Sequence, residues 1–259
     1  MAGGRSRNRK KTLSRQKSAD IWIYGHHAVL AAINNPNRET KRVLQATSSQ
    51  FDGTLYNSIA NVKIEVVSSN QLESILPSGA VHQGIATLVK ELPSVTLDEI
   101  CTQARTKRRG VVVILDQVTD PRNLGSIIRS AAVFGALAVI VQERNSPKIN
   151  GVIAKAASGG VEKVSVVRVT NITRAIEKLK LNGFWCVGLE SQGANEIDYF
   201  MPQNLTAIAL GGEGAGLRRL VKENCDELIK IKGNGPISSL NVSNAAAVAL
   251  FALTKKITK

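Results

Sequence analysis

Six short apolar runs punctuate this chain from residue 110 onward, and they restrict its fold more than any other feature. They are VVVIL (111–115), ALAVIV (136–141), VSVVRV (164–169), FWCVGL (184–189), AIAL (207–210) and ELIKI (227–231). Strands that read as continuous apolar segments are covered on both faces, as in a parallel sheet flanked by helices. Helical patterns fill most of the intervals, so residues 110–259 are expected to form one α/β domain around a parallel sheet. No fixed-period repeat interrupts this pattern.

Upstream, shorter apolar runs alternate with plausible helices: IWIY, HHAVLAAI, RVLQA, KIEVV and GIATLV. Residues 20–90 are therefore expected to form a second, small α/β unit. Between the two, residues 91–109 contain Pro93, a short helical pattern around Leu97 to Ala104 and the basic cluster Arg105, Lys107, Arg108 and Arg109. This stretch is assigned as a linker.

Charge points to a partner. Lys and Arg outnumber Asp and Glu by 34 to 20, a formal charge of +14, and a polyanion is the natural counterpart. Arg5, Arg7, Arg9, Lys10, Lys11, Arg15 and Lys17 meet no acid within the first nineteen residues, so half of the excess sits there. Such a tail contacts phosphates without reading bases. A mitochondrial transit peptide has a similar composition, but residues 1–19 lack the apolar face of an amphipathic helix.

Other classes are disfavoured. Cys101, Cys186 and Cys225 are far apart and odd in number, which suggests neither a disulfide framework nor a metal-ligand pair. His26, His27 and His82 lack zinc spacing, so no metal is expected. They are candidates for RNA contact, or for buried and turn-stabilising roles. No run approaches the roughly 18 apolar residues of a membrane span, and no secretory signal is apparent, so a cytoplasmic location is expected.

In open parallel α/β sheets ligands gather beyond the carboxyl ends of the strands, which directs attention to three clusters. The first, after VVVIL, runs Asp116 to Ala131 and includes DPRNLGSIIRSA. A helix starting near Asn123 would bury Leu124, Ile127, Ile128 and Ala131, leaving Gly125, Arg129 and Ala132 on an adjacent face of small residues. There Arg129 is either a ligand contact or a solvated helix arginine.

The second cluster, after AIAL, is Gly211-Gly212-Glu213-Gly214-Ala215-Gly216-Leu217. Its glycines permit positive φ and close backbone approach, which suits a nucleoside. It lacks the G-x-G-x-x-G spacing of a dinucleotide site, and Leu217-Arg218 stand where a P-loop has Lys-Ser/Thr, so oxidoreductase and P-loop readings are weak. Taken alone, Glu213 equally suits the positive end of the following helix. The third cluster runs from Ile231 through Ser239, Leu240 and Asn241 to Ala247, with a serine cap expected to open a helix apolar on nearly every side. Ser239 and Asn241 are catalytic candidates, or caps only.

DPRNLGSIIRSA, ALGGEGAGL and ISSLNVSNAAA, in that order, closely resemble the three motifs of the SpoU-type (TrmH-like) branch of the SPOUT methyltransferases. YGHHAVLAAI and HQGIA resemble the small RNA-binding domain of bacterial 23S ribosomal RNA guanosine-2'-O-methyltransferases. The resemblance implies a deep trefoil knot, an exception to the rule against threaded connections. It further implies a homodimer, S-adenosylmethionine as cofactor, and 2'-O-methylation of an RNA ribose, ribosomal RNA before transfer RNA. By the same resemblance Asn123, Arg129, Glu213, Ser239 and Asn241 surround the ribose, and Gly211, Gly212, Gly216, Ile231 and Leu240 line the cofactor.

Arg129 matches the residue that the family proposes as base. A guanidinium pKa above about 12 disfavours that, and holding a phosphate while polarising the hydroxyl is the alternative. Relatives commonly follow the last strand with Pro-Met, whereas Lys232 and Gly233 stand here, which alters the pocket's lip and adds a cation for a phosphate. The rival from another class is a non-catalytic RNA-binding or ribosome-assembly protein on the same fold, for which a basic surface alone would suffice.

Overall fold

A computed structural model describes residues 20–49, 63–237 and 239–257. The basic segment 1–19 and Ser238 lie outside them. The first described unit comprises β1 (Asp20–Tyr24), α1 (His26–Ile33), β2 (Thr40–Ala46), β3 (Ile64–Val67), α2 (Ser69–Ile75) and β4 (Ile85–Lys90). Its four strands are ordered β1-β4-β2-β3, with β2 and β3 parallel and the other pairs antiparallel. Alternation along β1 and β2 sends Ile23 and Val43 inward with Val29 and Ala32 of α1 and with Ile85 and Val89.

The second unit begins one element earlier than the apolar runs suggest. Helix α3 (Leu97–Lys107) is opened by a capping box in which Thr96 and Glu99 satisfy each other's backbone N–H groups. Its stripe of Leu97, Ile100, Cys101 and Ala104 is buried against Val112 and Ile114. Of the stretch read as a linker, 97–107 is thus part of a core, because i, i+3, i+4, i+7 spacing gives the helix an apolar face that needs a sheet.

There follow β5 (Gly110–Asp116), α4 (Pro121–Val133), β6 (Ala138–Gln142), α5 (Gly151–Ala157), a 3₁₀ turn at Gly160–Glu162, β7 (Ser165–Val169), α6 (Ile172–Leu181), β8 (Trp185–Leu189), β9 (Asn195–Glu196), β10 (Leu205–Gly211), α7 (Arg219–Asn224), β11 (Glu227–Lys230) and α8 (Val242–Ile257). The seven strands are parallel throughout, ordered β7-β6-β5-β10-β8-β11-β9. All six apolar runs are strands. Helices α4, α5 and α8 cover one face, while α3, α6 and α7 cover the other.

Two consequences of this order position the site. The chain leaves β5 towards β6 and later returns as β10 on the other side of β5, so the loops after β5 and β10 leave adjacent strand ends. Helix α4 also begins two residues earlier than the sequence pattern suggested, because Asp120 caps it by accepting a 2.9 Å bond from the Arg122 N–H and Pro121 suits its first position.

The two units meet along α5. A Cβ on Gly151 would stand 2.4 Å from Tyr24 Cε1, so only glycine lets α5 approach β1 this closely. Beside it, Glu162 is buried with Arg38, whose guanidinium grips both carboxylate oxygens at 2.5 and 3.1 Å, and with Asn35, which donates a 2.7 Å bond. Arg38 also donates to the Lys90 carbonyl at 2.8 Å.

Candidate functional site

The site is built from three loops that the sheet order brings together. Asp116, the last residue of β5, is fully buried. Its carbonyl accepts the Gly212 N–H at 2.8 Å, while its carboxylate accepts the Arg218 N–H at 2.9 Å and the Arg218 Nε–H at 2.8 Å. One acid thereby pins both ends of the 212–218 loop. Between those pins the loop doubles back, with Gly212 bridged to Gly216. Any Cβ on Gly211 would fall 2.0 Å from the Gly216 carbonyl carbon, which explains why this loop is built of glycine.

Glu213, at the tip, is exposed, but one of its oxygens is not free. Asn123, in the first turn of α4 and buried, donates from Nδ2 to Glu213 Oε1 at 2.9 Å. Asn241 donates from Nδ2 to the same oxygen at 2.6 Å and to Asn123 Oδ1 at 3.1 Å. Asn241 in turn caps α8, accepting at Oδ1 from the Ser243 N–H at 2.8 Å and the Ser243 hydroxyl at 2.6 Å. The cap of α8 is therefore this asparagine and not a serine. One residue from each of the three sequence clusters joins a closed hydrogen-bonded ring. Glu213 Oε2 accepts no hydrogen bond from the described residues and is left as an open acceptor.

The other expected residues are placed differently. Arg129 is exposed and makes no ion pair or hydrogen bond among the described residues. The small face beside it is not open to a ligand at Gly125, where a Cβ would lie 2.5 Å from Ala156 Cβ and 2.7 Å from the Ile153 carbonyl oxygen, so glycine there serves the packing of α4 on α5. Ser239 is exposed outside the ring. Leu240 is half exposed, and Ile231 packs partly buried on the core at the end of β11. Lys232 is paired at 2.8 Å with Glu196, and this contact raises the ammonium's pKa.

Asp116 was not singled out from the sequence. It is an acid at the carboxyl end of an apolar strand, and that position was the available signal. Of the histidines, His82 accepts the Gly84 N–H at Nδ1, holding a turn, and the His26 ring bonds the Gln83 carbonyl at 2.9 Å. Among the described residues no group of three His, Cys, Asp or Glu side chains is placed to hold a metal ion. No described helix is long and apolar enough to cross a membrane.

Known proteins match both units. Residues 110–251 match the SpoU rRNA methylase family, and residues 22–95 match the RNA 2'-O ribose methyltransferase substrate-binding family. A protein of Staphylococcus epidermidis named for the TrmH family of tRNA/rRNA methyltransferases is 36% identical over 241 residues, covering 92% of this chain and 96% of the relative. Among solved structures, the SpoU methyltransferase AviRb of Streptomyces viridochromogenes, in complex with AdoMet, superposes with a TM-score of 0.76 at 23% identity, covering 93% of this chain and 91% of AviRb. An AdoMet-bound rRNA methyltransferase of Sinorhizobium meliloti gives 0.71 at 21% identity, with 90% and 86% covered. At these identities the superpositions speak for the fold.

Proposed function

We propose that this chain, which belongs to the SpoU rRNA methylase family, transfers the methyl group of S-adenosylmethionine to a ribose 2'-hydroxyl of RNA. The observation that carries this reading is the ring of Asn123, Glu213 and Asn241, which joins three distant sequence clusters at adjacent strand ends. A protein that only bound RNA would need its basic surface and no such ring.

The residues fit the cofactor. Gly211 closes β10, Gly212 follows it and Ile231 follows β11; with Gly216 and Leu240 they are assigned to the cofactor pocket, and around Gly214, Gly233 and Gly235 a side chain would find open space. When bound, S-adenosylmethionine supplies a methyl already activated on a sulfonium, so alignment with the attacking oxygen is what the protein must provide. Glu213 Oε2, which accepts no hydrogen bond from the described residues, accepts the ribose hydroxyl, and the two asparagines fix that carboxylate in place. The hydroxyl's proton leaves to solvent at this exposed carboxylate as the methyl is transferred. Arg129, without an ion pair or hydrogen bond among the described residues, holds the neighbouring phosphate and polarises the hydroxyl; a guanidinium offers N–H donors and no acceptor. Ser239 and Leu240 complete the wall on the third loop.

The finer reading is a guanosine of 23S ribosomal RNA as substrate, with 1–19 and 20–90 as RNA-binding parts, 91–109 as the junction and 110–259 as the catalytic, trefoil-knotted domain. It is supported by the substrate-binding match upstream and by the basic excess. A homodimer is proposed because Val133 (70% exposed), Val248 (41%) and Phe251 (54%) form an uncovered apolar stripe where α8 meets the end of α4, with the Phe134 and Phe251 rings 6.1 Å apart. A cytoplasmic site of action follows from that substrate.

Incubation with methyl-labelled S-adenosylmethionine and unmodified ribosomal or transfer RNA, followed by mapping of 2'-O-methyl positions, tests the activity and its target. Label in ribosomal RNA is expected. RNA binding with no label in either RNA would establish the non-catalytic alternative, and light scattering of a monomer would remove the dimer.

A further inference from the structure

A cavity of about 380 Å³ opens at the carboxyl ends of β6 and β7, on the sheet face that α3, α6 and α7 cover. Gln142, the last residue of β6, Thr170 after β7, Thr173 in the first turn of α6, and Arg218 and Arg219 at the start of α7 line it. Strands β6 and β7 lie on one side of β5, whereas β10, β8 and β11 lie on the other. The cavity is thus set apart from the segments assigned to the cofactor. One loop still ties it to the Asn123–Glu213–Asn241 ring. Asp116 holds the Gly212 N–H beside Glu213 and the Arg218 N–H and Nε–H beside the cavity, so the two are fixed relative to each other.

Its lining carries donors that the fold does not use. Arg218 spends Nε and Nη2 on Asp116, and its Nη1 makes no hydrogen bond among the described residues. Arg219, with its side chain 77% exposed, pairs Nη1 with Glu223 and keeps Nε and Nη2. The Thr170 and Thr173 hydroxyls and Gln142 Nε2 likewise make no hydrogen bond among the described residues. Gln142 Oε1 is enclosed without a partner, so no protein group holds this amide. No Asp or Glu lines the cavity. Guanidinium, amide and hydroxyl donors gathered without a lining acid suit an anion, and the arginine fork suits phosphate oxygens in particular.

From this we infer that the cavity binds a backbone phosphate of the substrate RNA, on a nucleotide beyond the one whose ribose meets Glu213. The inference rests on the proposed action on RNA. S-adenosylmethionine has no phosphate to place here, whereas RNA has one at every nucleotide. Phosphate contacts set the register and direction of a strand without reading its bases. A phosphate held at the Arg218 flank lays the strand along the loop that carries Glu213, and so helps to align the target ribose.

Retention of unmodified ribosomal RNA on filters by the full chain, across a salt series, measures the contact. Arg218 is left intact, because its loss would also deprive buried Asp116 of its partner. Thr173→Asp places a negative charge in the cavity, at a first-turn position of α6 where an acid suits the helix, so the fold is retained. It should weaken RNA binding about tenfold and flatten the slope of log K against log salt by about 1, the loss of one phosphate contact. Arg219→Gln should weaken binding about threefold. Thr173→Asn, of the same size and uncharged, should weaken it less than the aspartate does, and S-adenosylmethionine affinity should stay unchanged in all three. Unchanged RNA affinity in Thr173→Asp and Arg219→Gln, weakening with an unaltered salt slope, or equal losses from aspartate and asparagine would each overturn the inference. Inorganic phosphate is the second probe: calorimetric binding that Thr173→Asp abolishes, with RNA affinity unaffected, would assign the cavity to a free anion and overturn it as well. A wild-type chain that binds no RNA would overturn the RNA reading together with this one, whereas wild-type binding with unaffected variants overturns this one alone.

Discussion

Two clusters in this molecule are made of the same parts, an acid and asparagine with an arginine nearby, yet are built for opposite ends. At the junction of the two sheets, Glu162 and Arg38 have side chains only 2% and 1% exposed, and the arginine engages both carboxylate oxygens while Asn35 takes one of them again. At the strand ends, Glu213 is exposed, two asparagines share its Oε1, and among the described residues its Oε2 accepts no hydrogen bond and Arg129 has no partner. A buried charge must be paired and saturated or it is very costly. An exposed one can stay partly unsatisfied because water stands in until a ligand arrives. The saturated cluster fixes one unit on the other, while the unsaturated one is left to meet a substrate.

The largest effect should come from breaking the saturated cluster. Arg38→Ala leaves Glu162 buried without a countercharge, held only by the Asn35 amide, and should lower the unfolding free energy by about 3–5 kcal/mol in a urea titration. A loss under about 1 kcal/mol would mean the junction is more open to water than its burial indicates. Replacing both partners with apolar residues of similar size should recover much of the loss.

Arg129→Ala reverses the pattern. Methyl transfer should fall by about 10²–10³-fold, roughly 3–4 kcal/mol in the barrier. Stability should stay within about 0.5 kcal/mol and S-adenosylmethionine affinity should be unchanged, since the residue is exposed and outside the ring. Normal turnover would refute its assignment.

Glu213→Gln should sit between these. The amide still accepts from Asn123 and Asn241 but is a weaker acceptor for a ribose hydroxyl, so kcat should drop about tenfold. Midpoint of unfolding should move little.

The smallest expected signal is a null that serves the other three. Burial raises the Cys186 thiol well above its usual range and pushes Cys225 up to about 12, and Cys101 is raised by burial too. Their protonated forms persist at pH 8, and a thiol reagent should label the folded chain hardly at all. Labelling should accelerate in Arg38→Ala and remain slow in Arg129→Ala and Glu213→Gln. Rapid labelling of the wild type would contradict the burial.

The sheet was legible because its central strands, VVVIL, ALAVIV and AIAL, are apolar on both faces, a property carried by adjacent residues. The two-residue β9 was not: Asn195 and Glu196 are polar, and they pair only because the edge of β11 is there to receive them. Helix α3 was read as part of a linker since its stripe has meaning only with Val112 and Ile114 beneath it. Asn123, Glu213 and Asn241 stood out through their motifs. Asp116 did not, because a single acid after a strand looks like any other until the neighbouring loops are in view.

Sequence alone determined the α/β class, the parallel sheet, the basic tail and the three segments from which the site is drawn. Tertiary structure decided that β10 lies beside β5 and β8 between β10 and β11, and hence which side chains meet. The physical reason is range. Hydrophobic periodicity is written residue by residue, whereas strand order is fixed by which helices can cover which face, and a hydrogen bond between residues 123 and 241 exists only after that choice is made.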